Sequence, residues 1–283
     1  MNSKDEKIRK LAMVSYLIDK LCMRVGDEKD DDEADTVGAS TLRVEHVTID
    51  KKQIKFNFLG KDSVQWEKYL EISDGVSRLF KDNLESFIKG KKSNDLLFND
   101  IKSYHVNRFL STSLKGLTAK NFRTYHATNI VRSYISKHDS FKEECPEQEK
   151  IFYAKMANLE AAVTCNHKRT PPKTWENTLQ KKKDSLKKIK KMDPKTEKAK
   201  IKLKERLLKA ELAIKLHRET KDYNLNTSLR NYIDPRLYSS WTKHIGLNWE
   251  KIYPKTLQKK FAWTKRSKIK WESWKAQSPS SKK

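Results

Sequence analysis

No run of about 18 apolar residues occurs anywhere in this sequence, and its first residues carry no apolar stretch of the kind a signal peptide needs. That excludes a membrane-spanning helix. Cysteine is scarce: Cys22, Cys145 and Cys165 are too few and too scattered for a disulfide framework or a zinc site, which fits a reducing intracellular compartment. No G-x-x-x-x-G-K-[ST] pattern appears, so any chemistry runs without that ATP site. Negative charge is in short supply as well. Against 62 Lys and Arg stand 37 Asp and Glu, a net charge of +25 in 283 residues. Such an excess calls for a polyanionic partner. DNA and RNA fit it; an anionic membrane surface is the weakest of the three, and no membrane association is expected.

Hydrophobic residues make up 36% of the chain, enough to support a core. The spacing of Ile8, Leu11, Ser15, Ile18 and Cys22 predicts a helix ending near Arg24 and Gly26. An acidic loop, Asp27 to Asp35, follows. Alternation over Leu42–Ile49, a turn at Asp50–Lys52, then Ile54–Leu59, a turn at Gly60–Ser63 and Val64–Ile72 predict a small antiparallel sheet. From about residue 76 the pattern is helical. Thr118 is placed to cap the helix that carries Arg123, and Phe152, Met156, Leu159 and Val163 form a helical stripe just before Asn166 and His167. The fold class is therefore mainly α with a small antiparallel sheet near residues 41–72.

Between Lys181 and Arg218 there are 16 Lys and Arg against 5 Asp and Glu. Leu203, Leu207, Ala210 and Ile214 give this segment one narrow apolar stripe, and Asp193-Pro194 breaks it, with Asp as N-cap and Pro at the first helical position. The pattern predicts two long helices in an antiparallel hairpin, with the lysines on a solvated face. Residues 222–283 are aromatic and compact up to Trp263. The basic tail that holds Trp271 and Trp274 shows no periodicity and is expected to lack order. The reading divides the chain into a core at 1–175, a hairpin at 176–221 and a C-terminal part at 222–283.

Singly, the chemistry-bearing residues say little: a tyrosine is most often a packing aromatic, a buried histidine a satisfied core residue, and Lys61 beside Asp62 a turn residue. Their setting says more. Leu21-Cys-Met-Arg-Val-Gly-Asp-Glu-Lys, continuing to Asp32-Glu-Ala-Asp-Thr-Val-Gly, resembles the core of eukaryotic type IB DNA topoisomerases. So do Leu42-Arg-Val-Glu-His-Val, Phe58-Leu-Gly-Lys-Asp-Ser, Leu117-Thr-Ala-Lys-Asn-Phe-Arg-Thr-Tyr, Cys165-Asn-His-Lys-Arg-Thr-Pro-Pro-Lys-Thr, Asn231-Tyr-Ile-Asp-Pro-Arg and Trp249-Glu-Lys-Ile-Tyr. The blocks stand in the family's order over roughly residues 8 to 263, the hairpin matching by position and character alone.

The resemblance implies a topoisomerase IB or tyrosine-recombinase-like catalytic domain, double-stranded DNA as partner, the nucleus or another DNA-containing compartment, and no cofactor or metal. It assigns Tyr232 as nucleophile, Arg24, Arg123 and His167 as stabilisers of the phosphoryl oxygens, and Lys61 as general acid. It places Lys29, Thr36, Ser63, Lys120 and Asn231 against DNA near the cut. Family members carry a large N-terminal section that closes around the duplex as a cap, so the chain reads as a half-clamp unless a separate chain supplies the cap. The tail after Trp263 departs from the family, whose members end acidic. Two other readings stay open: a tyrosine recombinase-like strand transferase, which uses the same residue set, and a non-catalytic DNA-binding module in which Tyr232 only packs.

Overall fold

The computed structural model describes residues 1–26, 37–60, 64–138 and 145–276. The chain forms two compact units, Met1–Arg123 and Thr124–Lys283. Most of it is helical, with one three-stranded antiparallel sheet. No helix among the described residues is long and apolar enough to cross a membrane. The predicted acidic loop and the Lys61–Ser63 turn lie outside the described residues.

The first unit opens with α1, Glu6–Leu21, whose N-cap Asp5 accepts from the Lys7 and Ile8 amides. Leu11, Val14, Leu17, Ile18 and Leu21 are buried, whereas Ile8 is 42% exposed and Ser15 half-buried. The inward face is thus rotated from the predicted stripe, which counted Ser15 where Val14 and Leu17 do the packing. The helix ends with Cys22 in the left-handed region at φ 52°, and the Lys68 ammonium donates to the Leu21 carbonyl at 2.7 Å. A cation on the last carbonyls is favourable at a helix C-terminus.

The sheet runs β1 (Val47–Ile49), β2 (Gln53–Gly60) and β3 (Val64–Glu71), in that order. Ile54 pairs with Leu70 and Phe58 with Trp66, all four buried on one face, and the Phe58 and Trp66 rings stack at 4.7 Å. The first predicted strand is shorter than its alternation suggested. Val44–His46 is a 3-10 turn. Its amides turn to a loop instead of β2: Val44 N–H donates to Asp95 O at 3.1 Å and Glu45 N–H to Ser93 O at 3.0 Å. Helices α2 (Gly75–Ile88) and α3 (Ser103–Ser113) complete the unit, burying Phe80, Leu84, Val106 and Leu110 in the same core. The unit division falls within α4, Ala119–Ser136. Thr118 stands just before α4 as predicted; its hydroxyl donates to Asn121 Oδ1 at 2.6 Å, and its carbonyl accepts from the Asn121 amide at 3.0 Å.

In the second unit α5, Glu147–Thr164, presents Ala154, Ala157 and Ala161 to the core, and Val163 of the predicted stripe is 41% exposed. Small side chains let bulky neighbours approach closely, and the neighbour here is α9, Pro235–His244, with Leu237, Tyr238 and Trp241 all fully buried. The Tyr238 hydroxyl donates to Ala154 O at 2.8 Å. The basic segment is a hairpin of α6 (Trp175–Lys190) and α7 (Glu197–Glu219). Lys190 meets Glu211 at 3.2 Å, and Trp175 stacks on His217 at 5.0 Å and 9°, which sets the helices antiparallel. The helix start differs from expectation: Thr196, not Asp193, is the N-cap, accepting from the Ala199 amide, and Pro194 stays in the connecting loop. After α8 (Leu225–Asn231) and α9 come α10 (Lys255–Phe261) and α11 (Trp271–Lys275). The expected disorder of the tail does not hold over residues 264–276. Trp271 is 1% exposed and Trp274 9%, both packed in the core of this unit. Two buried indoles outweigh the repulsion among the surrounding lysines.

Candidate active site

Arg24 is exposed and sits on the segment that follows α1. Its backbone is fixed by a second segment. Ala39 N–H donates to Arg24 O at 2.8 Å, Ser40 N–H to Val25 O at 2.7 Å, and the Ser40 hydroxyl to Val25 O and Gly26 O, each at 2.9 Å. The two segments cross at Gly26 and Gly38. A Cβ on Gly38 would stand 2.4 Å from Gly26 Cα, and one on Gly26 would stand 2.7 Å from Thr41 Oγ1, where φ is also +89°. Only glycine at both positions permits the crossing. This gives a physical reason for the glycines that close the Arg24-Val-Gly and Thr-Val-Gly blocks.

Arg123 is 3% exposed on α4. Lys120, one turn earlier, is exposed, and the start of α4 is held by the Ala119 amide donating to Asn107 Oδ1 at 3.0 Å. Lys29, Thr36, Lys61 and Ser63 lie outside the described residues.

In the second unit the end of α5 turns sharply. Asn166 adopts φ 53°, and His167 N–H donates back to Ala162 O at 2.8 Å. The chain then pairs with the stretch leading into α8. Asn224 N–H donates to His167 O at 2.8 Å, Lys168 bridges Tyr223 in antiparallel fashion, and Arg169 N–H donates to Asp222 O at 2.9 Å. Seven residues of helix follow, and Tyr232 is their C-cap, its N–H donating to Ser228 O at 2.9 Å. The result is that His167, 4% exposed, and Tyr232, half-buried, face one another with ring centroids 5.2 Å apart and planes inclined by 31°. Asn231 beside them is exposed.

Three residues that the sequence did not single out hold this pair. The Ser228 hydroxyl of α8 donates to Asn158 Oδ1 of α5 at 2.6 Å, and Asn158 Nδ2 donates to Leu225 O at 3.0 Å. Thr128 of α4 accepts from the Asp234 amide at 3.0 Å. Past Tyr232, Ile233 is buried, and Asp234 caps α9 by accepting from the Arg236 amide at 2.9 Å while its carboxylate takes the Arg236 Nε at 3.0 Å. Tyr232 therefore sits between two helix termini that are both tied down. Polar residues within helical stretches carry no sequence signal that separates this role from surface exposure.

The Tyr232 ring thus stands beside the buried His167 imidazole in a chain of net charge +25. The comparisons name the family. The family model described as eukaryotic DNA topoisomerase I, catalytic core, matches residues 1–201, and the C-terminal topoisomerase domain matches residues 204–273. DNA topoisomerase 1 of Homo sapiens is 37% identical over 92% of this chain and 38% of its own length. DNA topoisomerase 1 of Drosophila melanogaster is 37% identical over 92% of this chain and 28% of its own, and DNA topoisomerase 1 alpha of Arabidopsis thaliana 36% over 92% and 31%. The chain belongs to the eukaryotic DNA topoisomerase I family, and it spans 28% to 38% of the length of these relatives.

Proposed function

We propose that this chain carries the strand-cutting half of an enzyme that relaxes supercoiled DNA without ATP. Tyr232 attacks a backbone phosphorus and forms a 3′-phosphotyrosine. The ester made is similar in energy to the one broken, so the strand can be resealed without an external energy source. Arg24, Arg123 and His167 stabilise the charge that builds on the phosphoryl oxygens, the two guanidiniums with forked donors and His167 with one more hydrogen bond. Lys61 delivers a proton to the leaving 5′ oxygen. Between cleavage and resealing, torque turns the free strand about the intact one.

Lys29, Thr36, Ser63, Lys120 and Asn231 hold the duplex near the cut, and such contacts carry little sequence information. The basic hairpin slows rotating DNA electrostatically. The N-terminal section that the resemblance implies supplies the cap, on the same chain or a separate one. The compartment is one that contains DNA, the nucleus in a eukaryotic cell. The observation that carries the reading is the His167–Tyr232 pair at 5.2 Å, each held by a different buried backbone or side-chain contact.

The test is incubation with supercoiled plasmid in EDTA, followed by denaturant trapping. Relaxed topoisomers and a protein–DNA adduct support the reading. DNA binding with neither product would instead support a non-catalytic DNA-binding module.

A further inference from the structure

A threonine hydroxyl inside an α-helix often donates back to the carbonyl four residues earlier. Three threonines of the second unit do so: Thr178 to Thr174 O at 2.9 Å, Thr220 to Leu216 O at 2.7 Å and Thr242 to Tyr238 O at 2.8 Å. Thr128 of α4 does otherwise. It is 6% exposed, and its hydroxyl reaches across to the Tyr232–Asp234 junction. There it accepts from the Asp234 amide at 3.0 Å and donates, over a longer 3.4 Å, to Tyr232 O.

The junction needs such a group. Tyr232 closes α8 and Asp234 opens α9, so the Tyr232 carbonyl and the Asp234 amide belong to helix ends, whose backbone groups have no partner within their own helix. One hydroxyl, with one proton and free lone pairs, serves both. The two groups lie on the two peptide planes that flank Ile233, itself buried. The helix that supplies the hydroxyl is a firm support, since Ala127, Val131 and Ile135 of α4 are fully buried in the core of this unit.

We propose that Thr128 is a positioning residue for the Tyr232 side chain. By fixing the peptide planes on either side of Ile233, its hydroxyl sets the direction in which the phenol leaves the backbone and keeps the ring against His167. The consequence for catalysis rests on Tyr232 being the nucleophile. In cleavage the phenol oxygen bonds to phosphorus as the bond from phosphorus to the 5′ oxygen breaks; the phenol gives its proton to solvent and the 5′ oxygen gains one. Resealing runs the same path backwards. A group that only aims the phenol acts on the transition state common to both directions, so its loss slows both alike and leaves their ratio unchanged.

The variants are Thr128→Val, which keeps the shape and loses the hydroxyl, and Thr128→Ser, which keeps the hydroxyl. Thr128→Ala serves the same comparison should the valine variant not fold. The first readout needs no activity: NMR of the full chain, following the cross-peak between the Tyr232 and His167 ring protons and hydrogen exchange of the Asp234 amide. The valine variant should lose the ring cross-peak and exchange the Asp234 amide roughly tenfold faster or more. The Ile245 and Leu247 amides, bonded at the far end of α9, should exchange as in the parent. Serine should restore both signals. The second readout is single-turnover cleavage and resealing of a labelled duplex. Valine should slow both steps by roughly tenfold or more and leave their ratio and the duplex affinity within about twofold, with serine near the parent. A parental cross-peak in the valine variant, no rescue by serine, parental rates in an active valine variant, or a changed ratio of cleavage to resealing would each overturn the proposal. A parent that forms no adduct counts instead against Tyr232 as nucleophile, and the NMR readout still decides the role of Thr128.

Discussion

The Ser228 hydroxyl and the Asn158 amide oxygen meet at 2.6 Å in the interior of the second unit, and this one contact ties the helix that ends at Tyr232 to the helix that ends near His167. Ser228 is fully buried and Asn158 is 4% exposed, so neither can turn to water if its partner is removed.

Ser228→Ala leaves the Asn158 oxygen without its donor in an apolar setting. The expected cost is about 1–3 kcal/mol, read from urea denaturation. Because the contact positions α8, adduct formation should slow by more than the loss of folded protein explains. A double change, Ser228→Ala with Asn158→Leu, should cost less than the two single changes added together, since the Asn158 oxygen that Ser228→Ala strands is then absent. Simple additivity would show that the two residues act separately.

Gly38→Ala tests the crossing that holds Arg24. The new methyl would stand 2.4 Å from Gly26 Cα, so backbone has to move. A destabilisation of roughly 1–3 kcal/mol is expected from overpacking alone. DNA cleavage should fall further than stability does, because the displaced segment carries Arg24. A melting curve and adduct yield identical to the parent would show that the crossing does not set the arginine's position.

Tyr232→Phe should abolish the covalent adduct and leave duplex binding within a few-fold, since binding rests on many cationic contacts and the reaction on one hydroxyl. The measurement is denaturing electrophoresis of a labelled duplex beside a filter-binding isotherm. An adduct formed by the Phe variant would assign the nucleophile elsewhere.

Lys61→Ala should slow cleavage of ordinary DNA far more than cleavage of a substrate whose 5′ bridging oxygen is replaced by sulfur. A thiolate leaves without a proton, so a general acid becomes dispensable. Single-turnover rates on both substrates decide the matter, and equal slowing would reduce Lys61 to a positioning role.

The helical hairpin and the β2–β3 pair were legible because each combines a long periodic stretch with clear breakers, and length and period are what sequence reports best. Where the reading failed, the missing fact was the partner. Alternation at Leu42–His46 is real, but the neighbouring backbone is the 93–97 loop and not a strand. The alanine face of α5 went unseen because small residues mark an inward face only when the bulky partner, here Tyr238 and Trp241, is known. The tail looked featureless although two indoles suffice to dock it. His167 and Tyr232 could each be named from their blocks, but nothing in the blocks states that the rings come within 5.2 Å. That follows from the pairing of His167–Arg169 with Asp222–Asn224, which no periodicity encodes.

That same pairing has a mechanical side. The chain leaves it at Arg169 and returns at Asp222, where the Arg169 amide donates to Asp222 O at 2.9 Å and its guanidinium to Lys221 O and Thr220 O; beyond this neck the Trp175–His217 stack stiffens the hairpin, and α7 also lies along α5, with the Lys215 ammonium 5.5 Å from the Phe152 ring centroid. At about 1.5 Å per residue, α7 is a rod of roughly 35 Å. A push at its free end arrives at the neck as a moment, and the first strand-like contact it loads is the one next to His167. The hairpin is in this sense a lever whose fulcrum lies against the tyrosine's neighbour.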